Sequence, residues 1–243
     1  MGKHADSVDS KLLRRIRGHK RGWVFTPTVF ADLGSRTAVD NALMRHVRDG
    51  TIKQLARGLY HYPKTHPLLG QLSAPTDAIA KALAGRDATR LQPSGANAAN
   101  LIGLSEQVPM QVVYLTDGPA KRVQVGSQQI VLRRTTPRNM ATAGRISGLV
   151  IQALRYFGQQ QVDDSVVAKL KCNLSKEHKL QLLEDVQFAP VWIGEVIRRV
   201  ATDNDNVKWN PTSSSQRPKN GSTASKRKPK PASQPSALRK TSG

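Results

Sequence analysis

The sequence predicts an α+β protein that ends in a disordered basic tail, and three observations lead to this class. Helical and strand-like periods alternate within residues 10–65, and a second mixture of both fills residues 75–202. Residues 203–243 are rich in Pro, Ser and Lys and hold too little apolar area to offset the entropy of ordering. We therefore expect a flexible N-terminus (1–9), a first domain (10–65), a linker (66–74), an α+β domain (75–202) and the tail (203–243).

The first predicted elements are two helices separated by a strand-like run at 23–25. Leu12 and Ile16 recur at helical spacing within 10–17, and the following Gly18 suits a left-handed helix end. Thr26 is a typical helix cap, and Pro27 then occupies the first helical position, where its missing N–H costs nothing. The second helix is accordingly predicted over 27–33.

A third helix and a hairpin complete the first domain. Ser35 is the expected cap of a helix over 35–49, with Val39, Leu43 and Val47 on its inward face. Strand-like segments at 52–56 and 59–62 flank Arg57 and Gly58, which suits a two-residue hairpin turn. This succession is typical of a winged helix-turn-helix, a DNA-binding domain, with the aromatic residues Trp23, Tyr60 and Tyr62 filling its core rather than stacking on bases.

The second domain follows with strands and then helices. Strands are predicted over 88–92, 112–116, 122–125 and 129–133, the last two as a hairpin around 126–127. Helices are predicted over 76–83, 94–101, 144–157, 163–171, 175–185 and 191–201.

The formal net charge of +21 is concentrated in two regions. Residues 1–65 and residues 210–243 each carry +8, whereas residues 66–209 carry +5. Because Lys and Arg that neutralise phosphates release counterions, this distribution favours nucleic acid as the partner. No apolar run is long enough to span a membrane, the N-terminus lacks a secretory pattern, and Cys172 is the single cysteine. We expect a cytoplasmic, nucleoid-associated protein.

The predicted DNA contacts lie on the polar face of the third helix. Arg36 and Asn41 are the predicted base readers, because Arg pairs with guanine and Asn with adenine. Further contacts, mostly to phosphates, are predicted from the helix start, the helix end, the hairpin and the loop before Trp23: Ser35, Thr37, Arg45, Arg48, Arg57, Lys20 and Arg21. Lys226, Arg227, Lys228 and Lys230 form a predicted non-specific nucleic-acid arm. An ordinary solvated helix face and a solubilising tail remain the alternatives.

Several motifs between residues 10 and 200 resemble those of AbiEi-type antitoxins and transcriptional regulators. The resemblance is carried by Ser35-Arg36, Ala38-Val39, Ala42-Leu43, Arg45, Gly50, Ile52, Leu55, Ala56-Arg57-Gly58-Leu59-Tyr60, Pro93-Ser94-Gly95, Leu101-Ile102-Gly103-Leu104, Gln107-Val108-Pro109, Tyr114-Leu115-Thr116-Asp117-Gly118 and Gln152-Ala153-Leu154-Arg155-Tyr156. It implies a bacterial type IV antitoxin whose N-terminal winged helix represses its own operon, and the expected DNA partner is a set of inverted repeats in its own promoter. It also implies a C-terminal domain that opposes a nucleotidyltransferase-like toxin without requiring a stable complex.

An enzymatic function finds little support in the sequence, and we expect no catalytic residue, metal or cofactor. Cys172 and His178 are too few ligands for a zinc site. Asp163 and Asp164 are adjacent, so their side chains point in different directions, and Asp163 suits a helix cap. The alternative to a DNA-binding regulator is a protein-binding adaptor whose middle domain engages a partner without specific DNA recognition.

Overall fold

The computed structural model describes residues 7–85 and 89–202, which have an α+β fold. The predicted arm of Lys226, Arg227, Lys228 and Lys230 lies outside the described residues. Within the described ranges, no helix has the length and apolar character needed to cross a membrane.

The N-terminal part places two helices against a small antiparallel sheet. Its elements are α1 (Val8–Gly18), β1 (Val24–Phe25), a 3-10 helix (Pro27–Phe30), α2 (Arg36–Arg48), β2 (Lys53–Ala56) and β3 (Leu59–His61). The sheet order is β1-β3-β2, so the strand that comes last in sequence lies in the middle. Gly58 turns the chain between β2 and β3 with a φ of +70°, a value that a residue with a Cβ rarely adopts.

Two local predictions in this part are wrong. Gly18 is the last residue of α1, but it does not take the predicted left-handed conformation. The next residue, His19, is extended, and its ring stacks on that of Trp23 with 3.7 Å between the ring centroids. The predicted second helix is a four-residue 3-10 turn, and the Thr26 hydroxyl bonds to that of Thr28 at 2.7 Å instead of capping a helix. The cap of α2 is as predicted, since Ser35 Oγ accepts a hydrogen bond from the Ala38 N–H at 3.3 Å.

Short strands β4 (Thr65–His66) and β5 (Gly70–Gln71) pair as an antiparallel hairpin that begins at the last residue of the predicted first domain and extends into the predicted linker (66–74). Leu68 and Leu69 lie at its turn and are 90% and 73% exposed. The segment between the first sheet and the next helix therefore has regular structure of its own.

A four-stranded sheet flanked by helices forms the remainder of the described chain. Its strands are β6 (Leu91–Ser94), β7 (Gln111–Thr116), β8 (Lys121–Val125) and β9 (Gln128–Arg134), in the order β6-β7-β9-β8 with β7 and β9 parallel. The helices are α3 (Thr76–Ala84), α4 (Ala96–Leu101), α5 (Pro137–Met140), α6 (Ile146–Phe157), α7 (Asp164–Asn173), α8 (Lys176–Glu184) and α9 (Val191–Ala201). Strand β6 begins three residues later than predicted.

Buried side chains form three clusters, and the N-terminal sheet contributes to two of them. Phe25 and Tyr60 pack with Leu12 and Leu43 of the helices α1 and α2. From the other side of the sheet, Val24 and Leu59 pack with Ile79 of α3 and with the four-stranded sheet. The third cluster joins the helices α4, α6, α7, α8 and α9. The N-terminal sheet is thus covered by helices on both faces.

Candidate functional site

Helix α2 presents most of the predicted DNA contacts to solvent. Val39 and Leu43 are buried against α1 and the sheet, which turns the opposite side of the helix outward. Arg36, Thr37 and Asn41 lie exposed on that outward side. The helix therefore shows one apolar and one polar face, the arrangement that the sequence predicts.

An ion pair orients the guanidinium of Arg36 along this polar face. Its Nε donates to Asp40 Oδ2 at 3.0 Å, one helical turn further on, while 72% of the Arg36 side chain remains exposed. Sequence reasoning missed Asp40 as a partner, although the i, i+4 spacing of opposite charges was the available signal. Because 72% of the Arg36 side chain and 42% of the Asp40 side chain are exposed, the pair contributes little to the free energy of unfolding.

The other end of α2 is tied to α1 through Asp9. Arg45 Nη2 lies 3.1 Å from Asp9 Oδ1, and the buried His46 places Nε2 3.4 Å from the same oxygen. Arg45, a predicted phosphate contact, is therefore shared between solvent and this carboxylate. Neither Asp9 nor His46 was identified from the sequence, although His46 follows Val39 at a spacing of two helical turns on the buried side.

Two predicted phosphate contacts are exposed arginines near the ends of neighbouring elements. Arg48 is the last residue of α2, and Arg57 occupies the turn between β2 and β3 beside Gly58. Within residues 7–85 and 89–202, neither side chain makes a salt bridge. Within these ranges, no ion pair therefore neutralises either charge.

Lys20 and Arg21 do not lie on the same surface as the predicted contacts of α2. Both line a cavity beside α3, together with residues of β1 and of the segment that follows β3. Arg21 donates to the carbonyl oxygen of Pro63 at 3.2 Å, and its guanidinium carbon lies 4.9 Å from the ring centroid of Tyr62. The predicted set of contacts is thus divided between two surfaces.

The two aspartates weighed for enzymatic chemistry make structural contacts. Asp163 Oδ1 accepts from the Val166 N–H at 3.0 Å, which confirms it as the cap of α7, and the Ser165 hydroxyl and this N–H lower the pKa of its carboxyl group. Asp164 pairs with Arg199 of α9. Cys172 and His178 are exposed, and the part of the chain that the structure describes holds no group of three potential metal ligands.

These observations define an α+β protein whose N-terminal part exposes a basic helix face. The chain belongs to the DUF6088 family, a family of unknown function, whose model matches residues 11–182. Among solved structures, the chain is similar to the RV2827C protein from Mycobacterium tuberculosis at 18% identity and a TM-score of 0.43, over 81% of this chain and 75% of that one. No curated protein matches.

Proposed function

We propose that this protein is a sequence-specific DNA-binding transcriptional regulator whose N-terminal part acts as a winged helix-turn-helix. The observation that carries the proposal is the polar face of α2, where Arg36, Thr37 and Asn41 are exposed opposite the buried Val39 and Leu43. An α-helix fits the major groove, and residues of its first turns meet the base edges there.

The β2–β3 hairpin supports the same proposal. It follows α2 directly and carries Arg57 at its turn, so it corresponds to the wing of such a domain. We assign Arg48 and Arg57 to phosphates, because both are exposed cations with no acidic partner in the described residues. Phosphate contacts hold the protein on any duplex, and the base contacts of α2 select the operator.

Arg36 has a specific role in this proposal. In the free protein its Nε is bound to Asp40, which keeps the guanidinium on the outward face of α2. A guanine presents two acceptors in the major groove and competes for that guanidinium. Asp40 thus accepts the hydrogen bond of Arg36 in the free protein, and this bond breaks when Arg36 binds a guanine.

The resemblance to AbiEi-type regulators suggests the biological setting. We propose an autorepressing antitoxin that binds inverted repeats in its own promoter in the bacterial cytoplasm and opposes a nucleotidyltransferase-like toxin, with direct binding to that toxin not required. Co-expression with a neighbouring nucleotidyltransferase-like gene tests this part separately. If co-expression does not restore growth, the antitoxin role is refuted, whereas the DNA-binding proposal is unaffected.

Fluorescence anisotropy on the upstream promoter fragment and on a scrambled duplex of equal length tests DNA recognition. Arg36→Ala and Asn41→Ala should each lower the difference in binding free energy between the two duplexes by about 1–3 kcal/mol, which is about 5- to 150-fold in relative affinity. Arg48→Ala and Arg57→Ala should weaken binding to both duplexes alike and reduce the salt slope by about one each. Lys169→Ala, on the exposed side of α7, is the matched control for the loss of one positive charge.

Asp40→Asn sharpens the test of Arg36. This variant removes the competing carboxylate and its repulsion from phosphates, so affinity for both duplexes should rise. Discrimination that survives Arg36→Ala, or an affinity that falls with Asp40→Asn, would refute the assignment of α2 as the recognition helix.

A protein-binding adaptor is the second candidate, and the β4–β5 hairpin favours it. Leu68 and Leu69 at its turn are 90% and 73% exposed, and exposed apolar side chains that lie together are typical of protein contacts. Capture of one defined partner that depends on both leucines, with no retention of DNA at moderate salt, would replace the DNA proposal.

A further inference from the structure

A cavity of about 730 Å³ lies between the N-terminal sheet and α3. Its volume falls within the range of about 300–1,000 Å³ that is typical of small-molecule sites. Strand β1 and the 3-10 helix line one side, α3 lines the other, and residues of the segment 64–75 complete the wall. None of the proposed DNA contacts on α2 takes part in it.

Most of the cavity wall is apolar. Trp23, which precedes β1, and Val24 of β1 line it on one side, and Ala78 and Ala82 line it from α3 at a spacing of one helical turn. The two alanines are small, so α3 leaves space where larger side chains would have filled the gap. The position of Trp23 is fixed by stacking on His19 at 3.7 Å and on Phe25 at 4.4 Å. An apolar ligand body would meet a preformed surface.

A buried imidazole supplies a polar group in this wall. His61 of β3 is 2% exposed and lines the cavity, and its Nε2 has no hydrogen-bond partner among the described residues. Burial and the charge of Lys53 lower the pKa of His61, which favours the neutral imidazole. A buried polar atom without a partner costs about 1–3 kcal/mol, so a ligand that bonds to it recovers part of that cost.

The charged residues of the wall are all cationic. Lys20, Arg21, Lys64 and Lys81 line the cavity, and no Asp or Glu is among its described lining residues. Lys81 is paired with Asp77 at 2.7 Å and Arg21 is held by Pro63, which leaves Lys20 and Lys64 as the side chains best able to meet a ligand. This surplus of positive charge selects for a negatively charged group.

We propose that the cavity binds a small organic anion with an apolar body. The body lies against Trp23 and the two alanines of α3, the anionic group meets Lys64 and Lys20, and His61 Nε2 bonds to a polar atom of the ligand. The proposal concerns binding at this cavity and stands whether or not α2 binds DNA.

A pair of probes with the same body and opposite charge tests the proposal on the full chain. Calorimetry should show one site for 4-phenylbutyrate and at least tenfold weaker binding of 4-phenylbutylamine, with quenching of tryptophan fluorescence by the anion alone. Ala82→Phe, which fills the cavity, should abolish binding, and Ala78→Leu serves as a second filling variant should the first fail to fold by circular dichroism.

Two further variants separate the charge from the hydrogen bond. Lys64→Gln and His61→Phe should each weaken 4-phenylbutyrate by about threefold to tenfold, whereas Lys169→Gln should leave it unchanged. Equal affinity for the two probes would overturn the selection for anions. Absence of binding by 4-phenylbutyrate, or binding that persists in both folded filling variants, would overturn the site itself.

Discussion

The two faces of the N-terminal sheet are packed in different ways. On the face towards α1 and α2, Phe25 meets Phe30 edge-on at 5.4 Å and stacks with Tyr60 at 5.9 Å. On the face towards α3, the corresponding residues are Val24, Leu59 and His61, and a cavity remains beside them. One sheet therefore supports a dense aromatic core on one side and a partly open apolar layer on the other.

This difference shows that the two faces have different roles. One face fixes the orientation of a helix, and the other leaves space for a ligand. The dense face fixes α2, because the buried side chains of that helix pack among the aromatic rings. The open face joins the sheet to α3 with smaller side chains and leaves room for a ligand. Changes to the two faces should accordingly have effects of different kinds.

The largest expected effect is on the dense face. Phe25→Ala removes a ring that is 1% exposed and contacts other rings, so the free energy of unfolding should fall by about 3–5 kcal/mol. Urea denaturation followed by circular dichroism measures this loss. Leu68→Ala, at a position that is 90% exposed, is the control and should change stability by less than about 0.5 kcal/mol. Similar losses for both variants would contradict the dense packing of this face.

A smaller, pH-dependent effect is expected on the open face. Burial lowers the pKa of His61 below that of the unfolded chain, so its neutral form is favoured in the folded protein. As the pH falls below the unfolded value of about 6.5, the unfolded state takes up the proton first, and stability is lost. One such group changes the free energy of unfolding by at most about 1.4 kcal/mol per pH unit.

Denaturation of the wild type and of His61→Phe between pH 7.5 and pH 5 isolates this contribution. The variant should lose less stability over that interval, because phenylalanine has no proton to gain. All other ionisable groups are common to the two proteins, so only the contribution of His61 remains in the difference. Parallel pH profiles would show that folding does not lower the pKa of His61.

The smallest expected effect is at the turn that belongs to neither face. A Cβ added at Gly58 would meet nothing within 4 Å, so Gly58→Ala is opposed only by the φ of +70°. We expect the free energy of unfolding, measured by thermal denaturation, to fall by about 1 kcal/mol. Gly18→Ala is the control, because Gly18 is also uncrowded but lies in a helix with an ordinary φ, and there the substitution should stabilise the protein slightly. A destabilisation at Gly18 that equals that at Gly58 would contradict the conformational argument.

Periodicity in the sequence predicts most elements of the fold correctly. The caps at Ser35 and Asp163, the turn at Gly58 and the inward face of α2 follow from local rules that depend on neighbouring residues alone. The end of α1 at Gly18 is predicted as well, but the left-handed conformation expected of that glycine is not found. His19 after it is extended, and its ring stacks on Trp23, a contact that local helix-end rules do not include.

The candidate site shows the same limit. Exposure of Arg36 and Asn41 follows from the helical period, whereas the tie of Arg45 to Asp9 depends on how α1 crosses α2. The position of Lys20 and Arg21 beside α3 depends on a helix more than fifty residues further on. Contacts of this range are set by tertiary packing, on which a single sequence gives no direct information.

The order of the four-stranded sheet has a consequence for the assembly of the chain. Strand β9 lies between β7 and β8 although it is the last of the three to be synthesised, and β8 and β9 form a local hairpin. Until this hairpin inserts, the backbone edge of β7 is unpaired and open to the equivalent hairpin of another molecule. Refolding at high protein concentration should therefore produce strand-exchanged dimers, and dilution should suppress them.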